Sequence, residues 1–439
     1  MPVQTYVHGT NAVNIARSIE TAVADGRAAA GERLPAVRPL AATLGVSPAT
    51  VAAAYRLLQE RGIVVADGRR GTRVRPASPA APLRAAALPS HVRDLAGGNP
   101  DPALLPDVEA VIRRLAVPRR LYGDTLNQPK LLELAGRQFA ADGVPAEAIA
   151  ILGGALDGVE RVLREHLRAG DRVIVEDPCF TGVLDLLNAN SFVAVGVAID
   201  DEGLLPSELE KALRGASALI VTPRAQNPTG AAFSARRARA LRTLLRARPD
   251  LLVIEDDHAG PVAGAPYVTL IEPSRERWAV VRSVSKSLGP DLRLAAMAAD
   301  RRTISRVEGR QNLGIRWVSH ILQDLVAALW SDRSVARLLA RAERTYAQRR
   351  HALLTALRDR NIECRGLSGL NIWIPLREEA AVMQSLMQLG WAVQAGERYR
   401  LKSGPGIRVT VSALLEEEAV RFADDLAEVL APARRVAMA

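Results

Sequence analysis

The chain contains few cysteines, no long apolar run and no secretion signal, and each shortage excludes a class of protein. Two cysteines in 439 residues, Cys179 and Cys364, do not make a disulfide framework, and neither lies near a His/Cys cluster, so no metal site is expected. No stretch approaches the ~18 consecutive apolar residues of a membrane span. Because the N-terminal MPVQTYVHGTNAV has no basic region followed by an apolar run, we expect a cytoplasmic protein that makes no use of a membrane.

Positive charge is concentrated near the N-terminus. The net charge is +10, and residues 1–76 contribute half of it, with ten arginines against five acidic residues. A small basic segment at one end of a chain is typical of a protein that binds nucleic acid. A codon bias that enriches arginine throughout would explain the charge equally well, so charge by itself leaves both explanations open.

The pattern of residues 1–76 predicts two helices joined by a tight turn and followed by a basic hairpin. After a first helix over residues 10–28, a short helix is expected to end at Gly45 as its C-cap. Ser47 and Pro48 are suited to begin the next helix, PATVAAAYRLLQERG. IVVADGRRGTRVRP then alternates like a hairpin. This order is typical of a winged helix-turn-helix, whose second helix enters the major groove of double-stranded DNA.

Beyond this segment the pattern changes twice. Residues 77–93 are rich in Ala and Pro and are predicted to form a linker. From 94 to 340, strand-like runs such as RVIVEDP and LLVIEDD alternate with helical patterns, which indicates a large α/β domain with a mostly parallel sheet. Residues 341–439 predict a smaller α+β domain.

Lysine is also rare, with four residues against 54 arginines, yet one of the four, Lys286, lies between serines in RSVSKSLGPDLRLA. Three further motifs precede it: LGGALDG (152–158), AQNPTG (225–230) and IEDDHAG (254–260). Taken singly, each has an ordinary explanation, such as a helix cap or, for the paired acids, a metal site. Together they offer an amine, phosphate donors, an amide and a carboxylate, which are the groups that a pyridoxal phosphate site requires. Arginine cannot form a Schiff base because its guanidinium stays protonated, which explains why this lysine persists.

The N-terminal stretch GERLPAVRPLAATLGVSPATVAAAYRLL resembles the GntR family of bacterial repressors nearly position for position, and GRRGTRV resembles its wing. The resemblance implies DNA contacts from four residues: Arg38, Ser47, Thr50 and Gly71. Four arginines of the same segment are expected to contact phosphates, although a solvated surface position would explain each of them: Arg56, Arg69, Arg70 and Arg73. Pro48 stands where many relatives have arginine.

Residues 94–432 resemble the fold-type I aminotransferases, through NPTG and SxSKxxxPxLR above all. The resemblance implies that Lys286 forms the Schiff base with pyridoxal 5'-phosphate, that Asp256 pairs with the pyridine nitrogen and that Asn227 reaches the ring oxygen. The implied phosphate contacts within the chain come from Ser283, Ser285, Arg293 and the backbone at Ala155 and Leu156. Phe180 is the residue implied to stack on the ring face. Tyr122 is implied to contact the phosphate of the partner subunit across a dimer. Arg408, in GIRVTVS, matches the arginine that binds a substrate's α-carboxylate and is therefore the implied effector contact.

Three positions depart from the aminotransferase pattern. His258 stands where the family usually has tyrosine, and we expect it to donate to the ring oxygen while titrating near neutral pH. Leu156 replaces a polar residue of the phosphate turn, and the glycine common after YGD is replaced around Asn127. Arg224, just before AQNPTG, is predicted to be either a second anion contact or a surface residue.

A GntR-type head joined to an aminotransferase-like body is similar to the MocR family of bacterial regulators. The resemblance implies a head-to-tail homodimer in which an amine, an amino acid or a B6 vitamer is sensed through an aldimine at Lys286 and shifts the DNA-binding heads. We expect a regulator rather than an enzyme, with a residual transamination half-reaction left open. Two alternatives stay open: an active pyridoxal-phosphate-dependent aminotransferase with a DNA-binding appendage, and a scaffold that binds no cofactor.

Overall fold

The computed structural model describes residues 6–29, 31–60, 62–66, 71–74 and 88–431. The chain divides into two compact units, the first built mainly from the N-terminal residues and the second from most of the remainder. Of the helices in these described stretches, none combines the length and the apolar character that crossing a bilayer requires.

The N-terminal unit contains three helices and a short antiparallel hairpin. In chain order the elements are α1 (Ala12–Ala24), α2 (Val37–Leu44), α3 (Pro48–Glu60), β1 (Val64–Ala66) and β2 (Thr72–Val74). Gly45, with φ 65°, ends α2 in the left-handed conformation, and the Ser47 hydroxyl caps α3 by accepting the Thr50 N–H at 3.1 Å. Both expected caps are therefore confirmed. Helix α1 is shorter than predicted because Asn11 caps its start and the chain turns at Gly26, with φ 70°.

Apolar residues at helical spacing hold this unit together. Ile15 and Ile19 of α1 pack with Leu40 of α2 and Leu58 of α3, and all four side chains are almost fully buried. The Tyr55 hydroxyl donates to the Pro35 carbonyl at 2.7 Å and so joins α3 to the segment that precedes α2.

After the N-terminal elements the chain forms a large α/β layer, most of which belongs to the second unit. Its elements up to the end of the large sheet are β3 (Arg93–Asp94), α4 (Val108–Ile112), α5 (Pro129–Ala141), β4 (Ile149–Leu152), α6 (Ala155–His166), β5 (Arg172–Asp177), α7 (Thr181–Ala189), β6 (Val193–Asp200), β7 (Gly203–Leu204), α8 (Pro206–Ala212), β8 (Ala218–Val221), α9 (Ala235–Arg246), β9 (Leu252–Asp257), β10 (Trp278–Ser283) and β11 (Ala295–Ala299). The helices that follow are α10 (Arg301–Asn312), α11 (His320–Ser331) and α12 (Arg333–Arg358).

Eight strands form one sheet in the order β4-β11-β10-β9-β8-β5-β6-β7. Strands β5, β8, β9 and β10 are parallel, whereas β11 is antiparallel to both β10 and β4. The predicted α/β class with a mostly parallel sheet is thus confirmed. Because parallel strands end at the same edge, the polar motifs after β8, β9 and β10 come together there.

The C-terminal elements form a smaller layer. They are β12 (Asn371–Pro375), α13 (Ala380–Gln388), β13 (Trp391–Ala392), β14 (Gln394–Ala395), β15 (Gly406–Thr410) and α14 (Glu416–Leu430). Strand β3 pairs with β13, and Leu95 belongs to the core of this layer although it lies near the start of the chain's second unit. Helix α12 runs without a break through residue 340, so it contributes Leu339 to the large core and Leu353 to the small one.

Candidate functional site

Three of the predicted site residues, Lys286, Asn227 and Arg408, come together near the edge where β8, β9 and β10 end. The Lys286 Nζ donates to the Gly98 carbonyl at 2.7 Å. The Arg408 guanidinium donates to the Asn227 Oδ1 at 3.3 Å. It also lies close to Gly98, because a Cβ atom added at Gly98 would be 3.2 Å from it. Three distant parts of the second unit therefore meet around one amine.

The Lys286 side chain has lost much of its affinity for a proton. Burial, together with the positive charge of Arg408, lowers the pKa of Lys286 from 10.5 to about 8. A neutral amine is the nucleophilic form, and burial beside a second cation is a known way to obtain it. The arrangement thus supplies a reactive primary amine near neutral pH.

Two neighbouring aspartates at the end of β9 have opposite environments. Asp256 is buried, and its Oδ1 has no hydrogen-bond partner among the described residues. Burial and the charge of Asp257 raise the pKa of Asp256 from 3.8 to about 7. Burial would also raise the pKa of Asp257, but the charges of Arg282 and Arg224 outweigh it and lower that pKa to about 2.

The imidazole of His258 is neutral and its N–H group is already used. Its Nε2 lies 2.8 Å from the Ala225 carbonyl, and since a carbonyl only accepts, Nε2 must carry the proton. Burial and the charge of Lys286 lower the pKa of His258 to about 4. The expectations that His258 titrates near neutral pH and donates to a ring oxygen are corrected, because only Nδ1 remains and it accepts.

A shallow cradle lies at the start of α6. Gly154 has φ 129°, and a Cβ added there would lie 2.8 Å from the Arg293 guanidinium, so only glycine leaves this space open. Arg293 is exposed and donates to the Gly153 carbonyl at 3.4 Å. The Ser283 hydroxyl donates to that of Ser285 at 2.9 Å, in the turn that follows β10.

The structure gives the two predicted aromatic contacts different surroundings. Phe180 lies against Leu156 across Gly182, where a Cβ would meet the Phe180 ring at 2.6 Å and Leu156 at 2.8 Å. Tyr122 is 80% exposed, and its ring centroid lies 5.7 Å from that of Trp317. Phe180 and Leu156 therefore stand beside the start of α6, whereas Tyr122 lies on the surface of the chain.

Two residues near Lys286 were missed by sequence reasoning. Tyr399 accepts from the Arg408 guanidinium at 2.6 Å, and Arg408 also donates to the Ala96 carbonyl. Gly98, with φ 64°, provides the acceptor for Lys286. The paired glycines of LAGGNPD were a signal for the second, whereas nothing in the sequence near Tyr399 indicated the first.

Arg224 has neither of the two predicted roles. It is 8% exposed and binds both carboxylate oxygens of Asp257 at 2.9 Å, with its guanidinium 5.1 Å from the Tyr267 ring centroid. Arg282 binds the same carboxylate at 2.6 Å. The Arg224 guanidinium is therefore already paired with a buried carboxylate, so Arg224 is neither a free anion contact nor a surface residue.

The predicted DNA-contacting residues lie mainly on the exposed side of the N-terminal unit. Arg38, Ser47 and Arg56 are exposed, and Thr50 is half-buried with its hydroxyl 2.9 Å from that of Ser47. Gly71 (φ 92°) and Arg73 lie on the hairpin, where Arg73 donates to the Gly31 carbonyl at 3.2 Å. Arg69 and Arg70 lie outside the described residues.

The residues around Lys286 fit pyridoxal phosphate on the observations above. A buried carboxylate oxygen with no partner among the described residues suits a pyridinium N–H, an amine with a lowered pKa suits an aldehyde, and a glycine-lined cradle with a guanidinium suits a phosphate. The role of each individual residue stays a prediction.

A winged helix-turn-helix followed by this sheet and this lysine-centred cluster defines a transcription factor built on an aminotransferase fold. Residues 11–74 match the gntR family of bacterial regulatory proteins, and residues 90–426 match aminotransferase class I and II. The chain belongs to the MocR family of regulators, which join these two parts. It is a pyridoxal-phosphate-dependent, DNA-binding transcriptional regulator.

Several known proteins are similar to this chain over most of its length. The vitamin B6 salvage pathway transcriptional repressor PtsJ of Salmonella typhimurium is 40% identical over 428 residues, which cover 97% of this chain and 99% of the relative. The pyridoxine biosynthesis transcriptional regulator PdxR of Corynebacterium glutamicum is 27% identical over 373 residues, a match that covers 81% of this chain and 81% of the relative. An archaeal alanine:glyoxylate aminotransferase superposes with a TM-score of 0.70 at 23% identity, over 77% of this chain and 90% of its own, which supports the fold.

Proposed function

We propose that the regulator senses a B6 vitamer through Lys286 and that occupancy of this site changes its affinity for DNA. The observation that supports the proposal is the Lys286 amine, whose pKa is lowered to about 8 by burial and by the charge of Arg408. The same part of the body contains Asp256, whose buried Oδ1 has no hydrogen-bond partner among the described residues. Pyridoxal phosphate supplies an aldehyde that reacts with primary amines. Amines and amino acids, the other effector classes expected from the sequence, are tested alongside it.

In this proposal each residue acts on a stated group. Lys286 gives up its proton near neutral pH because burial and Arg408 disfavour the charged amine. Asp256 holds a proton at the ring nitrogen, and the Gly154 cradle with Arg293 positions the phosphate. Asn227 accepts from Arg408 through Oδ1, which leaves its NH₂ group as the donor toward a ring oxygen.

Two relatives support a B6 vitamer as the effector. Their printed names describe a vitamin B6 salvage repressor and a pyridoxine biosynthesis regulator, and the first matches nearly the whole chain. An active aminotransferase is less well supported, because His258 has its only N–H on the Ala225 carbonyl and cannot replace a tyrosine hydroxyl as a donor.

The proposal includes a homodimer, in which the partner completes the site. Four large apolar side chains of the body are 65–80% exposed in the single chain: Leu121, Tyr122, Leu313 and Ile315. The Tyr122 ring contacts Trp317, two residues after Ile315, and exposed apolar groups of this kind mark protein interfaces. A head-to-tail arrangement, a cytoplasmic location and the domain limits 1–76, 77–93, 94–340 and 341–439 belong to the same proposal.

DNA binding in the presence of vitamers tests the sensing role. Fluorescence anisotropy with DNA from upstream of the protein's own gene is measured for the apo protein, with pyridoxal phosphate, with pyridoxine (which has no aldehyde) and with amino acids. We expect pyridoxal phosphate to change the Kd by a factor of about 5–150, the usual range of such coupling. Pyridoxine is expected to have little effect.

Two lysine variants make the test specific. Lys286→Arg keeps a positive charge but cannot react with an aldehyde, so the response of DNA binding is expected to disappear. Lys211→Arg alters an exposed lysine paired with Glu208 and should respond like the wild type. A response that survives in Lys286→Arg would refute the proposal.

The dimer is tested separately by analytical ultracentrifugation. Ile315→Asp places a charge in the exposed apolar group and is expected to shift the protein toward monomer. Leu415→Asp, at another exposed apolar position, should leave the oligomeric state unchanged. Equal behaviour of the two variants would contradict the assignment of this surface.

A further inference from the structure

A second candidate site lies at the opposite end of β10 from Lys286. A cavity of about 650 Å³ is lined by Trp278, which begins β10, and by Ala299, which ends β11. Lys286 follows the other end of β10, and a six-residue strand spans about 20 Å. The cavity is therefore separate from the cofactor site.

Positive charge dominates the lining of this cavity. Five arginines line it, at positions 275, 277, 301, 302 and 306, against three carboxylates, Glu147, Glu276 and Asp300. Glu147 is paired with Arg301 at 3.2 Å. Arg277 and Arg306 donate to the carbonyls of Asp250 and Glu165. Within the described residues, neither of these two arginines nor Arg302 has a carboxylate at ion-pair distance.

A chain of hydrogen bonds ends on one of these carboxylates, Asp300. Arg277 donates to the Nδ1 of His166 at 3.4 Å, so the imidazole carries its proton on Nε2 and donates to the Thr303 hydroxyl at 2.8 Å. The Thr303 hydroxyl donates in turn to Asp300 at 2.6 Å. Asp300 also accepts the backbone N–H groups of Thr303 and Trp278. Three of its roughly four lone pairs are thus used by groups other than the guanidiniums.

His166 contributes no positive charge of its own at neutral pH. Burial, with the nearby charges of Arg277, Arg306 and Arg302, lowers the pKa of His166 to about 4, although Asp300 acts in the opposite direction. A neutral, tautomerically fixed imidazole holds Arg277 in place while the three guanidiniums keep free N–H donors. Such a group of donors without an anion is the arrangement that a bound anion would stabilise.

We propose that this cavity binds a phosphorylated small molecule whose terminal phosphate is held by Arg277, Arg302 and Arg306. The planar donors of guanidinium match phosphate oxygens in pairs. The volume lies within the range of small-molecule pockets, and Trp278 with Pro145 and Pro273 provides a wall for the organic part. A concave group of three cations suits a dianionic terminal phosphate better than the single charge of a DNA phosphodiester.

Calorimetry with pyrophosphate on the protein loaded with pyridoxal phosphate tests this site, because the cofactor's own phosphate cradle is then filled. We expect saturable binding that weakens about tenfold or more in Arg302→Gln and further in Arg302→Gln/Arg306→Gln, as for loss of charge-assisted hydrogen bonds. Arg310→Gln, on the same helix but outside the cavity, should bind like the wild type. Thermal unfolding of each variant verifies that it is folded.

Three outcomes would overturn the proposal. One is the absence of saturable pyrophosphate binding to the wild type. Another is equal weakening in Arg310→Gln, which would indicate a general effect of net charge. The third is unchanged pyrophosphate binding in the double variant with weaker DNA binding, which would assign these arginines to the DNA backbone. None of these outcomes depends on whether vitamers alter DNA binding through Lys286.

Discussion

The two adjacent aspartates of β9 should respond in opposite ways to the same isosteric change. Asp256→Asn removes a buried carboxyl whose Oδ1 has no partner, and Asp257→Asn removes one that is bound by Arg224 and Arg282. We expect the first variant to stabilise the apo protein at neutral pH and the second to destabilise it.

The pKa values give the direction and the size of each effect. Each pKa unit corresponds to about 1.4 kcal/mol, so holding the pKa of Asp256 at about 7 instead of 3.8 costs the apo protein about 4 kcal/mol at neutral pH and above. The unfolded state loses this proton first as the pH rises, so stability falls between pH 4 and 7. Asp257, with a pKa of about 2, contributes about 2 kcal/mol above pH 4, which is lost as the pH falls through 2.

Urea unfolding of the apo protein at pH 5 and pH 8, at one protein concentration, measures these differences. The wild type is expected to lose stability between the two pH values. Asp256→Asn is expected to lose less, although the buried Glu176 and Glu255, with pKa values raised to about 8 and about 7, still contribute to its loss. Added pyridoxal phosphate should stabilise the wild type more than Asp256→Asn, because a ring N–H would then pair with the carboxylate. If Asp256→Asn and Asp257→Asn destabilise the apo protein equally at pH 8, the contrast between the two environments is wrong.

Three further predictions concern the amine, the cradle and the DNA-binding helix. Since the pKa of Lys286 is about 8, the rate at which the apo protein takes up pyridoxal phosphate should rise as the pH increases through 8. Absorbance follows this rate, and a rate that stays constant from about pH 6.5 to 9.5 would contradict the prediction. Gly154→Ala should weaken pyridoxal phosphate binding about tenfold or more in a spectral titration, because its Cβ would lie 2.8 Å from Arg293, whereas Gly143→Ala, with positive φ but open space, should not. Ser47→Ala removes the cap of α3 and should cost about 1 kcal/mol of stability in the N-terminal unit, measured by thermal unfolding, and no change would show that the cap contributes little.

Much of the fold was predictable because its signals are local. Gly45 and Ser47 mark helix ends through their own backbone and hydroxyl chemistry, and the structure has both caps. The apolar runs at β5, β8, β9 and β10 predicted the parallel strands. The boundary at residue 340 was less predictable, because α12 packs against two cores and no local signal interrupts it.

The candidate site was predictable only in part. Lys286 and Asn227 follow β10 and β8 of the large sheet, as their motifs suggested, and Arg408 reaches both of them from β15 of the small layer. Arg224 was not assigned correctly, because its role depends on Asp257, 33 residues away. Tyr399 was missed because its contact with Arg408 arises from the packing of the small layer.

The sequence by itself determined the classes of chemistry that this protein has available. A lysine between serines in an arginine-rich chain, two neighbouring acids and a basic N-terminal segment are properties of composition and order, and they hold in any conformation. Only the tertiary structure decided which groups are charged. Asp256 and Asp257 are adjacent in the chain, yet the Oδ1 of the first has no partner in the part of the chain that the structure describes, and the second binds two guanidiniums. His258 is neutral because it is buried beside Lys286, and its Nε2–H donates to the Ala225 carbonyl. Protonation depends on burial and on neighbours in space, and the chain order does not specify either.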